Sequence, residues 1–69
     1  MARQNLVAPT DVGKRVSFQY ELPNGFVNEA VGVFEFWDEA ANTYLVRKKD
    51  GELARVPALG VRFGKVVGG

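Results

Sequence analysis

A chain of 69 residues is long enough for one small domain, and we treat residues 1–69 as a single unit. A domain of this size buries only about 60% of the surface that its unfolded chain exposes, so its stability is modest. The formal net charge of +1 neither requires nor excludes a nucleic-acid partner. Cysteine and histidine are both absent, which excludes disulfides and removes the commonest metal ligand and the commonest general base. We therefore expect neither a metal nor a cofactor.

The first residues carry no signal for export. Met1 to Val7 lacks the long apolar run of a secretory signal peptide. No stretch of the sequence approaches the roughly 18 apolar residues needed to cross a bilayer. The absence of cysteine also fits a reducing compartment. We expect a cytoplasmic protein with no membrane partner.

The first predicted strand covers residues 14–22 and follows an irregular N-terminal arm, residues 1–12. Apolar and polar side chains alternate along this strand. The apolar residues occupy every second position: Val16, Phe18, Tyr20 and Leu22. A period of two, with one solvent-exposed and one buried face, indicates a half-buried strand. Pro23-Asn24-Gly25 is typical of the turn that ends it.

The second predicted strand covers residues 26–37 and has apolar residues on both parities. A helix is disfavoured here because Gly32 costs about 1 kcal/mol relative to alanine and the neighbouring residues are β-branched or aromatic. Glycine within a strand often marks a bend or a close backbone approach. We expect the strand to bend at Gly32 and to serve two sheets, as the second strand of a small barrel does.

Three shorter strands are predicted at residues 44–49, 52–56 and 61–67. Asp50-Gly51 between the first two is a strong hairpin signal. Pro57 stops the next strand because it has no N–H to donate. The segment from Pro57 to Gly60 is long enough for one helical turn. This order of elements predicts an all-β fold, a small five-stranded SH3-like barrel.

Several turn residues and glycines carry a resemblance to a known family. The matching segments are Gly13-Lys14-Arg15-Val16, Leu22-Pro23-Asn24-Gly25, Ala30-Val31-Gly32, Val46-Arg47, Asp50-Gly51-Glu52, Val56-Pro57 and Gly64-Lys65-Val66-Val67. From about Asp11 to Val67 the chain resembles the SH3-like domain that precedes the catalytic domain in some actinobacterial acetyltransferases of the GNAT superfamily. The resemblance implies an accessory role and not acetyl transfer. A free-standing adaptor, for example one encoded by a phage, is the alternative.

Catalysis is not expected from this sequence. Asp38 and Glu39 are adjacent, so their side chains point apart on a strand end, and no third ligand has a suitable spacing. Ser17 is the only serine, and the chain has no histidine to activate it. We therefore predict a non-catalytic binding module and no enzyme activity.

The aromatic residues are the best candidates for a protein-binding site. The chain has five phenylalanines, two tyrosines and one tryptophan, and the competing interpretation is that these aromatic side chains close the ends of the barrel. Tyrosine and tryptophan are frequent interface hot spots. We expect Trp37, with Val31 or Val33 beside it, to belong to an exposed apolar patch that binds a protein partner or a second copy of the chain. The full predicted set is Tyr20, Val31, Val33, Phe36 and Trp37.

A basic cluster offers the alternative function, nucleic-acid binding. Its predicted residues surround the hairpin and continue into the last strand: Arg47, Lys48, Lys49, Arg55, Arg62 and Lys65. If the last three strands lie close together, these side chains form one patch that can contact phosphates. Asp50 and Glu52 reduce its positive charge. The competing interpretation is a solvated face with no partner.

Overall fold

The computed structural model describes residues 4–68, and this part of the chain is all-β. It contains six strands: β1 (Gln4–Asn5), β2 (Arg15–Glu21), β3 (Val27–Asp38), β4 (Thr43–Lys48), β5 (Leu53–Pro57) and β6 (Val61–Val66). Two single 3₁₀ turns, Pro9–Asp11 and Ala58–Gly60, precede β2 and β6. Each of the five predicted strands is present, with ends within one residue of the prediction. No helix among these residues is long and apolar enough to cross a membrane.

The strands form one sheet in the order β1-β6-β2-β3-β4-β5. The prediction of a five-stranded barrel is wrong in two respects, because the sheet has six strands and does not close. The additional strand lies in the arm that was predicted to be irregular. Gln4 and Asn5 pair in parallel with Phe63 and Gly64 of β6. Both residues of β1 are polar and exposed, so no side-chain pattern marks the strand.

The long strand β3 pairs with two neighbours in succession. Its first half pairs with β2 and its second half with β4, and both Gly32 and Val33 pair on both sides. A Cβ at Gly32 would collide with the backbone carbonyl oxygen of Arg47, so a glycine is required for the close approach of β3 and β4. The register of β3 against β4 shifts between Phe34 and Phe36, which places a β-bulge at Glu35.

The core lies on one face of the sheet and centres on Tyr44. The Tyr44 ring lies 4.7 Å from that of Phe18, 5.2 Å from that of Phe34 and 4.9 Å from that of Trp37, between centroids. The buried apolar residues are Val7, Val16, Phe18, Tyr20, Ala30, Phe34, Tyr44, Val46, Val56 and Val61.

The N-terminal arm packs against this core and is hydrogen-bonded to it. Val7 is buried, and its carbonyl oxygen accepts a hydrogen bond of 2.8 Å from the Tyr44 hydroxyl. The Asn5 side-chain amide donates to the same hydroxyl at 3.1 Å. The described part of the arm, from Gln4 onward, therefore closes one side of the core.

The hairpin between β4 and β5 has a three-residue loop, residues 49–51. The Gly51 N–H donates to the Lys48 carbonyl at 2.9 Å, and the Lys48 N–H donates to the Glu52 carbonyl at 2.8 Å. Gly51 has a φ of +91°, which is accessible to glycine at little cost. These two bonds close a short turn with glycine at its last position, and the pairing of β4 with β5 confirms the hairpin predicted from Asp50-Gly51.

Candidate functional site

Two of the five residues predicted to bind a partner lie on the core side of the sheet. Tyr20 is only 6% exposed and belongs to the buried cluster. Trp37 is half-buried, lies opposite Tyr44 in the sheet and packs against the core. The predicted surface patch of Trp37 beside Val31 or Val33 is therefore wrong.

The bulge at Glu35 is the physical reason for this error. If the alternation of β3 continued without interruption, Trp37 would lie on the same face as Val31 and Val33. Phe36 would then lie on the same face as Phe34. One additional residue in the strand reverses the two faces beyond it. Phe36 consequently points outward and Trp37 points toward the core.

The other three predicted residues form what we call the outer stripe, Val31, Val33 and Phe36. They lie on the solvent face of β3 with 50%, 37% and 57% of their surface exposed. Two leucines that the sequence analysis missed extend this apolar surface across the sheet. Leu45 of β4 pairs with Phe36, and Leu53 of β5 pairs with Arg47 and is itself exposed. Alternation along β4 and β5 is the signal that identifies these leucines.

Ion pairs border the outer stripe on the side of β4 and β5. The Arg47 guanidinium contacts both carboxylate oxygens of Glu35, at 3.2 and 3.3 Å, and donates to the Gly51 carbonyl at 2.8 Å. Arg55 contacts Asp38 at 3.5 Å. Exposed pairs of this kind contribute at most about 1 kcal/mol each to stability. Their main effect is to reduce the positive charge of this region.

The predicted basic cluster is divided between two parts of the sheet. Arg62 and Lys65 lie on β6, and strands β2 and β3 separate β6 from β4. The expectation that all six cations form one patch is therefore wrong. It assumed that the last three strands are neighbours, whereas β6 pairs with β1 and β2. Arg47, Lys48, Lys49 and Arg55 remain together.

A cationic groove lies across β2, β3 and the end of β4, and it has a volume of about 500 Å³. Val31 and Val33 line its floor, with Gly32 between them. Four cations surround this floor: Arg15, Arg47, Lys48 and Lys49. Val33 lies directly between Arg15 on β2 and Arg47 on β4 in the sheet register. Arg15 was missed because the sequence analysis considered only the cations of the last three predicted strands, whereas Arg15 lies on β2.

The acidic residues of the described chain include one carboxylate with a shifted pKa, that of Asp11. Within residues 4–68, no group of three or more carboxylates is placed to hold a metal ion. Asp11 has a pKa below its usual value because its carboxylate accepts a hydrogen bond from the Ala8 N–H at 2.8 Å and contacts the Lys14 ammonium at 3.0 Å. These two contacts stabilise the first 3₁₀ turn, Pro9–Asp11. The side-chain polar atoms buried in this part of the chain all have hydrogen-bond partners.

Comparison with known proteins gives no relative. No protein-family model matches the chain, and no curated protein or solved structure matches it either. The functional assignment consequently rests on the geometry of the outer stripe and the cationic groove.

Proposed function

We propose that the chain is a non-catalytic protein-binding module that docks its partner on the solvent face of β3. The observation that carries this proposal is the outer stripe itself. Val31, Val33 and Phe36 lie in line on one face, they are exposed, and they are not members of the buried core. A protein partner or a second copy of the chain is the natural occupant of such a surface.

The composition of the surface supports a protein interface. An apolar centre is bordered by the paired charges Glu35–Arg47 and Asp38–Arg55. Interfaces between proteins commonly have this arrangement of an apolar core and a polar rim. Removing the remaining exposed surface of Val31, Val33 and Phe36 from water is worth about 1 kcal/mol for each side chain, taking about half the value for full burial. This favours association of moderate strength.

The role we propose is that of an accessory domain or an adaptor. The resemblance to the SH3-like domain that precedes GNAT catalytic domains is in keeping with an accessory role. A free-standing adaptor uses the same surface in the same way. In either case the partner protein carries the activity, and this chain serves to bind that partner.

Capture from cells that make the protein, followed by calorimetry with the purified partner, tests the proposal. Phe36→Ser is the test variant, and Phe26→Ser is the matched control. Phe26 is also exposed but precedes β3, ten residues from Phe36 along the chain. We expect Phe36→Ser to weaken partner binding about tenfold, corresponding to about 1.4 kcal/mol. Equal affinities of the two variants for the partner contradict the proposal.

Nucleic-acid binding is the second candidate, and the cationic groove is the observation in its favour. Arg47, Lys48 and Lys49 all line this groove. Phosphate-driven binding weakens steeply as the salt concentration rises, whereas an apolar contact responds little. Titration of the protein with labelled oligonucleotides at low and high salt tests this candidate. The separation of Arg62 and Lys65 from the hairpin makes it the weaker of the two.

A further inference from the structure

We infer that the cationic groove binds an extended acidic segment of the partner protein. In this complex, carboxylates of the segment contact Arg15 and Lys49, and an apolar side chain lies on Val31 and Val33. The inference rests on the proposed protein-binding function and specifies the chemistry of the partner.

The charge of the groove supports an acidic occupant. Its lining contains four cations and no carboxylate. Two of these cations already have partners, since Arg47 contacts Glu35 at 3.2 Å and Lys48 contacts Glu52 at 3.9 Å. Arg15 and Lys49 form no ion pair with any residue in the described range 4–68. These two side chains are therefore available to an incoming anion, and an arginine can bind a carboxylate with two parallel hydrogen bonds.

The floor of the groove favours a peptide over a nucleic acid. Single-stranded nucleic acids bind through bases stacked on aromatic side chains, and no aromatic side chain lines this groove. Duplex binding requires a series of phosphate contacts, whereas only Arg15 and Lys49 are unpaired here. The valine side chains offer an aliphatic contact that suits leucine, isoleucine or valine of a partner.

The dimensions of the groove suit a few residues of an extended chain. Its volume of about 500 Å³ is large enough for a small number of side chains and too small for a folded domain. Val31 and Val33 are two residues apart on one strand, which matches the spacing of same-face side chains in an extended peptide. An extended segment with an acidic and an apolar residue two positions apart presents both side chains to the same face, and it therefore fits both the floor and the cations.

Fluorescence anisotropy with a short labelled peptide in which glutamate and leucine alternate at every second position, with serine between them, tests the inference. The reference probes are the same peptide with glutamine in place of glutamate, and an oligothymidylate. Arg15→Glu is the test variant, and Arg62→Glu on β6 is the control because it changes the net charge equally at an exposed site outside the groove. Circular dichroism establishes that both variants are folded.

We expect the glutamate peptide to bind about tenfold more tightly than the glutamine peptide, and Arg15→Glu to remove that difference while Arg62→Glu preserves it. The inference is overturned by no binding of the glutamate peptide, by equal binding of the two peptides, or by equal losses in the two variants. Tighter binding of oligothymidylate also overturns it and favours the nucleic-acid candidate. Each of these results leaves the comparison of Phe36→Ser with Phe26→Ser as a separate test of protein binding.

Discussion

At the scale of single residues, Gly32 is the glycine of the described chain whose added Cβ would meet the closest neighbouring atom. It is the point at which β3 changes partner from β2 to β4, and a side chain there meets the Arg47 carbonyl. Gly32→Ala should separate the two strands and destabilise the fold by about 2 kcal/mol or more, in the range of a severe steric substitution. Gly68→Ala is the control, because nothing lies within 4 Å of its added methyl group. Urea denaturation of both variants measures the difference, and equal midpoints would contradict the assignment.

The Tyr44 hydroxyl also contributes to stability, because its hydrogen bonds join the N-terminal arm to the core. Tyr44→Phe removes the donor to the Val7 carbonyl and the acceptor for Asn5 without changing the packing of the ring. The expected loss is about 1–2 kcal/mol, since a buried carbonyl is left without a partner. Hydrogen exchange should also become faster at the Leu6 N–H, which is bonded to the Gly64 carbonyl at 2.8 Å. Unchanged exchange there would show that the hydroxyl does not hold the arm.

At the scale of elements, the bulge in β3 separates the roles of two adjacent aromatic residues. Trp37→Ala should cost about 2–4 kcal/mol of stability because the indole packs on Tyr44 and the core. Phe36→Ala should change stability by less than about 0.5 kcal/mol because its side chain is exposed. Thermal unfolding of the two variants measures both effects. The reverse order of stabilities would place the bulge elsewhere in β3.

The same bulge marks the limit of what the sequence predicts. Alternation located β2 through β6 because a half-buried strand requires a period of two, and it identified Val31 and Val33 as members of one face. No comparable pattern marks an additional residue inside a strand, so Trp37 was assigned to the face of Val31 and Val33. Backbone pairing without buried side chains, as in β1, leaves no signal either. Arg15 could be placed beside Val33 only once the strand register was known.

At the scale of the whole molecule, the composition determines how stability depends on pH. The chain has no histidine, so no side chain with an ordinary pKa titrates between about pH 5 and 8. The pKa of Asp11 is lowered by the Ala8 N–H and by Lys14. A lowered pKa contributes stability above the unfolded-state value, and that contribution is lost as the pH falls through the folded-state value. We expect stability to be level near neutrality and to decline below about pH 4, with a smaller decline in Asp11→Asn. Urea midpoints across this range provide the measurement, and a transition near pH 6 would contradict it.

The N-terminal arm affects both the stability of the molecule and its tendency to associate. A domain of this length has a total stability of only about 3–10 kcal/mol. Deleting residues 1–8 removes the buried Val7 side chain, its hydrogen bond with Tyr44 and the pairing of β1 with β6. Together these should cost about 2–3 kcal/mol, from roughly 1–2 for the valine and about 1 for the hydrogen bond. The deletion also leaves the outer edge of β6 around Phe63 unpaired, while β2 remains paired on its other side, and an unpaired edge promotes association between chains. We therefore expect the truncated protein to unfold at lower urea and to form oligomers at high concentration, as measured by denaturation and light scattering. Val7→Ser in the full chain should reproduce the part of the loss that comes from the valine side chain, because the hydrogen bond with Tyr44 uses the backbone carbonyl of residue 7. It should form no oligomers, since β1 remains to cover that edge of β6.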